Sequence, residues 1–291
     1  MKKLIRIPIN TANILFELFS PLSAVELGIE KTLSGFFGTP KNPQLSLTLN
    51  LEISTNIDMP SGELIYDPGA IFKIYQGASG YYIIFSDTDE SQAESMRSLM
   101  FANSAWDTMT LVIENAETTW QSLPRALELV LRTVILYTHG IIFHSAGFDD
   151  NGKGIVFVGH AGAGKSTQAD LWLKEQGVIA MNDDRMAIRI EKNGSRCYGL
   201  PWGGTANIIR NHAAPLKALI ILEQAVENSI HMIQPSKSAA LLAARTFLPF
   251  WDKTLMSLAL NNLNAILDHV PVYRLRCRPE KEVLSLVRSV L

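Results

Sequence analysis

From Leu45 to Ile53 the chain alternates strictly, with Leu45, Leu47, Leu49, Leu51 and Ile53 set against Ser46, Thr48, Asn50 and Glu52. A period of two predicts a β-strand with one buried face. Ile71 to Gln76 and Tyr81 to Phe85 are strand-like runs around Gly77-Ala78-Ser79-Gly80, a hairpin pattern, and Thr108 to Glu114 reads as a further strand. The first hundred or so residues are therefore expected to be β-rich. They carry no concentrated set of reactive groups, and Asp87, Asp89 and Glu90 read as a solvated loop. The period then changes. Leu123, Ala126, Leu127, Val130, Leu131, Val134 and Ile135 recur at helical spacing, which predicts an amphipathic helix with Ser122 as N-cap and Pro124 in the first turn. This change sets the expected boundary between a β-rich domain over 1–120 and a second domain over 121–291.

The second half mixes helix and strand. Ile141 to His144 reads as a strand ending at the histidine, followed by a turn at Asp149-Asp150-Asn151-Gly152 and a short apolar strand, Gly154 to Val158. A helix is expected from Thr167 to Gln176, stopped by Gly177, then a strand, Val178 to Met181, running into Asn182-Asp183-Asp184-Arg185. Met186 to Ile190 and Arg196 to Tyr198 flank Lys192-Asn193-Gly194 as a hairpin, and Gly199 to Gly204 reads as a loop. Ala218 to Leu222 and Val272 to Leu275 read as strands; Ser236 to Phe247, Thr254 to Leu267 and a segment from about Pro279 read as helices. The fold class expected is mixed α/β.

Residues 159–166 read Gly-His-Ala-Gly-Ala-Gly-Lys-Ser, a complete G-x-x-x-x-G-K-[ST] phosphate loop (Walker A) between a predicted strand and a predicted helix. Its glycines let successive N–H groups face phosphate oxygens at the positive end of a helix. Gly159, His160, Ala161, Gly162, Ala163, Gly164, Lys165, Ser166 and Thr167 are thus the candidate nucleotide-binding residues, with Lys165 reaching the β and γ phosphates and Ser166 offering its hydroxyl to Mg2+. The bland alternative is a turn that contains Gly-Lys-Ser by chance; the strand and helix flanks weigh against it. ATP and Mg2+ are the expected ligands.

Asp183 and Asp184 close the strand that follows the loop helix. One carboxylate there can hold the metal that bridges β and γ phosphates, and a second can take a proton from an attacking hydroxyl. A turn or helix cap built from Asn-Asp-Asp is the competing structural reading. His144 can touch phosphate, polarise a carboxylate or be a structural histidine, and its local sequence does not choose. Arg185 is tied to the site by position, whereas Arg210 and Lys217 read as surface charges and Trp202 as a buried tryptophan.

Composition narrows the partners. With 26 Lys and Arg against 28 Asp and Glu the net charge is −2, so the field that a nucleic-acid or anionic-membrane binder needs is missing. The apolar stretch Ile14 to Ile29 is interrupted by Glu17, Pro21 and Glu26, and no secretory pattern follows Met1-Lys2-Lys3, so a cytoplasmic chain is expected. Apolar residues make up 47% of the 291, enough for a packed core. Cys197 and Cys277 are far apart without C-x-x-C partners and read as reduced cysteines.

Several of these features occur together in one order: His144 ahead of the loop Gly159 to Thr167, then Asn182-Asp183-Asp184-Arg185, then Tyr198-Gly199-Leu200-Pro201-Trp202. Pro215-Leu216-Lys217-Ala218 and Val270 to Cys277 add to the series. In this respect Ile141 to Leu291 resembles the HPr serine kinase/phosphorylase family, and more closely its stand-alone HPr-kinase-like or phosphoenolpyruvate-carboxykinase-like serine kinases. The resemblance implies a phosphate-loop domain of phosphoenolpyruvate-carboxykinase type with a mixed sheet, following the β-rich segment. It also implies a catalytic set of Asp183 as general base, His144 near the transferred phosphoryl group and Lys165, with Asp184 joining Ser166 at the metal. The Glu-Ile/Val-Arg-Gly signature of the bifunctional members is absent, since the comparable region reads Tyr198 to Gly204; phosphorylase activity and HPr recognition are not implied. The expected function is ATP- and Mg2+-dependent transfer of a phosphoryl group to a hydroxyl, chiefly serine, of a peptide, protein or small-molecule acceptor. A non-catalytic nucleotide-dependent binding module is the alternative. A true carboxykinase is the weakest reading, because no oxaloacetate pocket or dedicated extra metal site is evident.

Overall fold

The computed structural model describes residues 3–69, 72–86, 96–160 and 162–291. The chain divides into two units, Met1–Val134 with Phe250–Lys253, and Ile135–Pro249 with Thr254–Leu291. Each contains one large mixed sheet of eight strands.

In the first unit the strands are β1 (Ile5–Thr11), β2 (Ile14–Ser20), β3 (Leu45–Ile53), β4 (Glu63–Tyr66), β5 (Phe72–Gln76), β6 (Gly80–Ser86), β7 (Met96–Asn103) and β8 (Thr108–Ile113), with helices α1 (Glu30–Leu33) and α2 (Thr119–Val134). Their order is β1-β2-β3-β8-β7-β6-β5-β4. β3 lies parallel to both β2 and β8, and the other neighbours are antiparallel. The alternation that predicts β3 has its cause in burial, since Leu47, Leu49 and Leu51 lie in the core. The β5–β6 hairpin forms around Gly77 to Gly80, although Ile71, expected to begin it, and the acidic run at Asp87, Asp89 and Glu90 fall outside the described residues. β1 also alternates, with Ile7 and Ile9 buried, but Pro8 on its outward face counts against a strand in the sequence. A sheet edge tolerates that proline, which has no N–H to give.

Helix α2 corrects two expectations. It begins at Thr119, after a 3-10 turn, so Ser122 lies one turn inside the helix, buried and accepting a hydrogen bond from Ser98 Oγ at 2.9 Å rather than capping. The compact division also falls after Val134 rather than near residue 120, because α2 packs on β7 and β8.

The second unit comprises β9 (Gly140–Asp150), β10 (Lys153–Val158), α3 (Lys165–Trp172), β11 (Val178–Asn182), β12 (Arg185–Glu191), β13 (Gly194–Gly199), β14 (Ala213–Gln224), β15 (Ser229–Ile233), α4 (Pro235–Ala243), α5 (Lys253–His269, its first residue in the other unit), β16 (Val272–Cys277) and α6 (Glu282–Arg288). Two long strands are shared. The first half of β9 pairs with β12 and its second half with β10 and β11; β14 pairs first with β13 and then with β10 and β16. Pairings β10-β9-β12-β13-β14-β10 therefore close a ring. His144 does not end its strand, as the sequence suggests: β9 continues through Ser145-Ala146-Gly147-Phe148, whose small and apolar residues keep the strand buried, to Asp150. The loop helix is likewise shorter than expected and ends at Trp172.

Trp172 anchors that helix. Its ring stacks on Phe148 at 6.1 Å and packs against Phe157 at 6.0 Å, within a core that includes Ala169, Ile155, Leu275 and Val287. Truncating a buried tryptophan costs about 3–5 kcal/mol, so the helix that carries Lys165 and Ser166 is fixed by packing and not by its modest propensity. No helix among the described residues is long and apolar enough to cross a membrane.

Candidate functional site

The loop between β10 and α3 follows an apolar strand, Gly154 to Val158, packed between β9 and β14. Gly162 and Gly164 have φ of +79° and +107°, and a Cβ added at either would meet open space. The left-handed backbone is what glycine permits, and one side of the loop is open. Lys165 is the first residue of α3 and is buried; its Nζ donates to the carbonyls of Gly159 at 2.9 Å and His160 at 3.2 Å, folding the side chain back over its own loop. Burial, followed by the charge of Arg245, holds its pKa below the ordinary lysine value against the pull of Asp184. An ammonium so placed gains from an incoming anion.

A chamber of about 320 Å³ opens over this loop. Gly162, Gly164, Lys165, Ser166 and Thr167 form one side of its lining, and His144, Asp183 and Asp184 join them. The structure thus brings together most of the residues singled out in the sequence. Gly159 and His160 instead line a smaller neighbouring cavity with Arg245, Ala163 lines an adjoining cavity of about 290 Å³ with Gln168 and Cys277, and Ala161 is outside the described residues. Arg210 and Lys217 are exposed, as expected of surface charges, and Trp202 is buried.

The Asn-Asp-Asp turn is built from its first residue. Asn182 is fully buried; its Oδ1 accepts the N–H groups of Asp184 and Arg185, both at 2.7 Å, and its Nδ2 donates to the carbonyls of Leu200 and Trp202. Asp183 then accepts three backbone N–H bonds from the following loop: Gly204 at 2.9 Å and Ile208 at 3.1 Å on Oδ1, Ala206 at 2.8 Å on Oδ2. A carboxylate has about four acceptor directions, so one remains, on Oδ2. Asp184 faces cations: its Oδ1 lies 3.2 Å from His144 Nδ1 and its Oδ2 2.7 Å from Arg185 Nη1. Arg185 in turn stands over the Phe247 ring.

His144 is half-buried. Burial pulls its pKa below the ordinary imidazole value; Asp184 opposes this, while Lys165, Arg185 and Arg245 reinforce it. The ring is therefore biased toward neutrality. Arg245 also accepts the His144 backbone N–H through its carbonyl at 2.7 Å.

Sequence reasoning missed Arg245, Gln224, Gly204 and Thr205. Gln224, at the end of β14, donates to the Gly162 carbonyl at 2.7 Å. Its position at the carboxyl end of a strand parallel to β10 was the available signal, since ligands of open α/β sheets gather there. Gly204 and Thr205 lie on the loop that Asp183 holds, and nothing short of the fold ties that loop to the phosphate loop. Neither cysteine adds chemistry to the chamber: both thiols are free, and burial pushes the Cys197 thiol up to about 12.

Residues 110–282, more than half the chain, match the family described as SynChlorMet cassette protein ScmC. The chain belongs to the ScmC family. The matched span contains every lining residue named for the chamber. No curated protein matches the chain.

Proposed function

We propose that the chain is an ATP- and Mg2+-dependent kinase that transfers a phosphoryl group to a hydroxyl of a peptide, protein or small-molecule acceptor, and that the second unit is a phosphate-loop domain related to the HPr-kinase-like serine kinases. The observation that carries this reading is the convergence of Lys165, Ser166, Asp183, Asp184 and His144 on one chamber above an open glycine loop.

Phosphoryl transfer asks a protein for positioning and charge stabilisation more than covalent chemistry. The loop N–H groups and Lys165 would hold the β and γ phosphates, and the adjoining cavity has room for the nucleoside end. Ser166 and Asp184 would hold Mg2+, which neutralises charge developing on the bridging oxygens. Asp183 would receive the acceptor's proton at the remaining direction on Oδ2, and neutral His144, aligned by Asp184, would hydrogen-bond the transferred group.

A second reading is favoured by one observation. The three backbone bonds to Asp183 also suit a clamp that passes nucleotide occupancy to the loop without transfer. Lys165→Ala separates both readings from a non-nucleotide one: losing a charge-assisted contact of about 1.5–3 kcal/mol weakens ATP binding by roughly one to two powers of ten. Calorimetry that finds unchanged affinity overturns the phosphate loop. Mass spectrometry for added phosphate, after incubation with ATP, Mg2+ and fractionated lysate, then decides between kinase and clamp.

A further inference from the structure

Three side-chain hydroxyls line the chamber: Ser166, Thr167 and Thr205. The first two belong to α3 and lie beside the phosphate cradle itself. Thr205 comes from a different segment and is exposed into the chamber. Its position is fixed on both sides, because the N–H of Gly204 and the N–H of Ala206 are each held by Asp183, on Oδ1 and Oδ2 respectively. The turn closes with Asn207 N–H donating to the Gly204 carbonyl at 3.0 Å. The approach is close: a Cβ on Gly204 would lie 3.0 Å from Asp183 Oδ2 and 3.1 Å from Asp184 Cβ, so a larger residue would have to push these side chains back by a few tenths of an ångström. The crown of this turn thus sets a hydroxyl-bearing residue in the chamber lining, between the two backbone N–H groups that Asp183 holds.

We infer that Thr205 is a site of self-phosphorylation, made within one chain. The inference rests on the phosphoryl-transfer reading above and names an acceptor for it inside the protein. In the step, Thr205 Oγ1 forms a bond to the γ phosphorus of ATP while the bond from that phosphorus to the β,γ-bridging oxygen breaks. The electron pair leaves with ADP. The hydroxyl proton passes to Asp183 and from there to solvent. Proximity is the source of the rate, since a hydroxyl already tethered at the site has an effective concentration no free acceptor reaches. The product places a dianionic group against Asp183 and Asp184, so the modified turn repels its own clamp.

The full chain is incubated with ATP and Mg2+ alone and digested, and the peptide bearing residue 205 is mapped by mass spectrometry. Phosphate on Thr205 approaching one per chain, at a rate independent of protein dilution, is the expected result. Thr205→Ser keeps the label at that position, Thr205→Val abolishes it there, and Lys165→Ala reduces it roughly tenfold or more. Calorimetric ATP binding, measured in parallel, tells the two ideas apart. ATP bound in a Lys165-dependent way with no phosphate on Thr205, or with phosphate only elsewhere, overturns the inference and leaves the kinase reading standing. No ATP binding overturns both. A Thr205→Val variant that loses Mg2+-dependent ATP binding, with the wild type unlabelled, assigns the hydroxyl to the metal instead and equally overturns self-phosphorylation.

Discussion

Both units are organised around an eight-stranded mixed sheet, yet they treat charge differently. Among the described residues, every buried charged side chain lies in the second unit: Asp149, Asp150, Lys165, Asp183 and Arg189. The buried polar groups of the first are uncharged serines and threonines, Ser98 and Ser122 among them. Burying charge is expensive unless it is paired and hydrogen-bonded, so a chain that does it repeatedly in one unit is using it there. Apart from Arg189, which bonds the Thr138 carbonyl, the second unit uses it at two ends. Lys165 and Asp183 line the chamber, whereas Asp149 and Asp150 close the far end of β9, where Asp149 meets His212 at 2.7 Å and Asp150 pairs with Arg288 at 2.8 Å. Buried charge alone therefore does not mark a site; buried charge beside an open glycine loop does.

The largest effect expected from breaking this distinction is at Asp183. Asp183→Asn replaces one acceptor oxygen with an amide that donates, so a backbone N–H of the 204–208 loop is left facing another donor. Transfer at saturating nucleotide should fall by roughly 10²–10⁴-fold, the usual worth of general-base help. Because the same change loosens the loop, hydrogen exchange at Gly204, Ala206 and Ile208 must be measured beside it. Faster exchange with undiminished transfer would make Asp183 a clamp only.

A charge at the far end should behave otherwise. Arg288 bonds Asp150 and Glu175 and stands 5.3 Å over the Trp172 ring, but its own side chain is about a third exposed. Arg288→Met leaves Asp150 buried without its partner. That should cost about 1–3 kcal/mol of unfolding free energy, less than a fully buried pair because solvent reaches the guanidinium. Folded protein should bind ATP at wild-type affinity. If denaturant titration shows the loss but affinity falls in step, the two ends are not independent and the distinction collapses.

Legibility in the sequence follows the same division. β3 reads correctly to the residue because a one-sided sheet imposes period two on its residues. β9 reads too short because it changes partners midway and is buried on both sides, so no alternation marks its length, whereas β14 does alternate over Ala213 to Lys217 but carries Pro215 there, which argues against a strand. The glycine-rich loop and the Asp pair could be singled out because a fixed local spacing marks them, and the structure sets them on one chamber. Gly204, Thr205 and Arg245 could not be, since only the Asp183 clamp brings the first two to the chamber, and only the backbone bond from His144 ties Arg245 to the neighbouring cavity. The β15 strand, with Ser229, Ile230 and Ile233 only partly buried, likewise offers no apolar run to detect.

The smallest expected effect sharpens the comparison through pH. All six histidines of the chain, from His139 onward, lie in the second unit, so acid sensitivity in the imidazole range belongs to that unit. Of these, His144 has its pKa lowered, first by burial and then by Lys165, Arg185 and Arg245, with Asp184 opposing. A depressed pKa means that the unfolded chain binds the proton more readily than the folded one. The stability this represents is complete above the ordinary value of about 6.5 and is lost as pH falls from there through the folded value. His144→Gln cannot titrate. The difference in unfolding free energy between wild type and variant should therefore be flat above pH 7 and shift in the variant's favour below about 6.5, by a slope corresponding to at most about one proton. Arg245→Met should reduce that slope, because removing a neighbouring cation lets His144 titrate closer to its ordinary value. A difference that grows in the wild type's favour on acidification would mean that Asp184 dominates and the histidine is held charged, and a pH-independent difference would mean that folding does not shift it; either overturns the expectation.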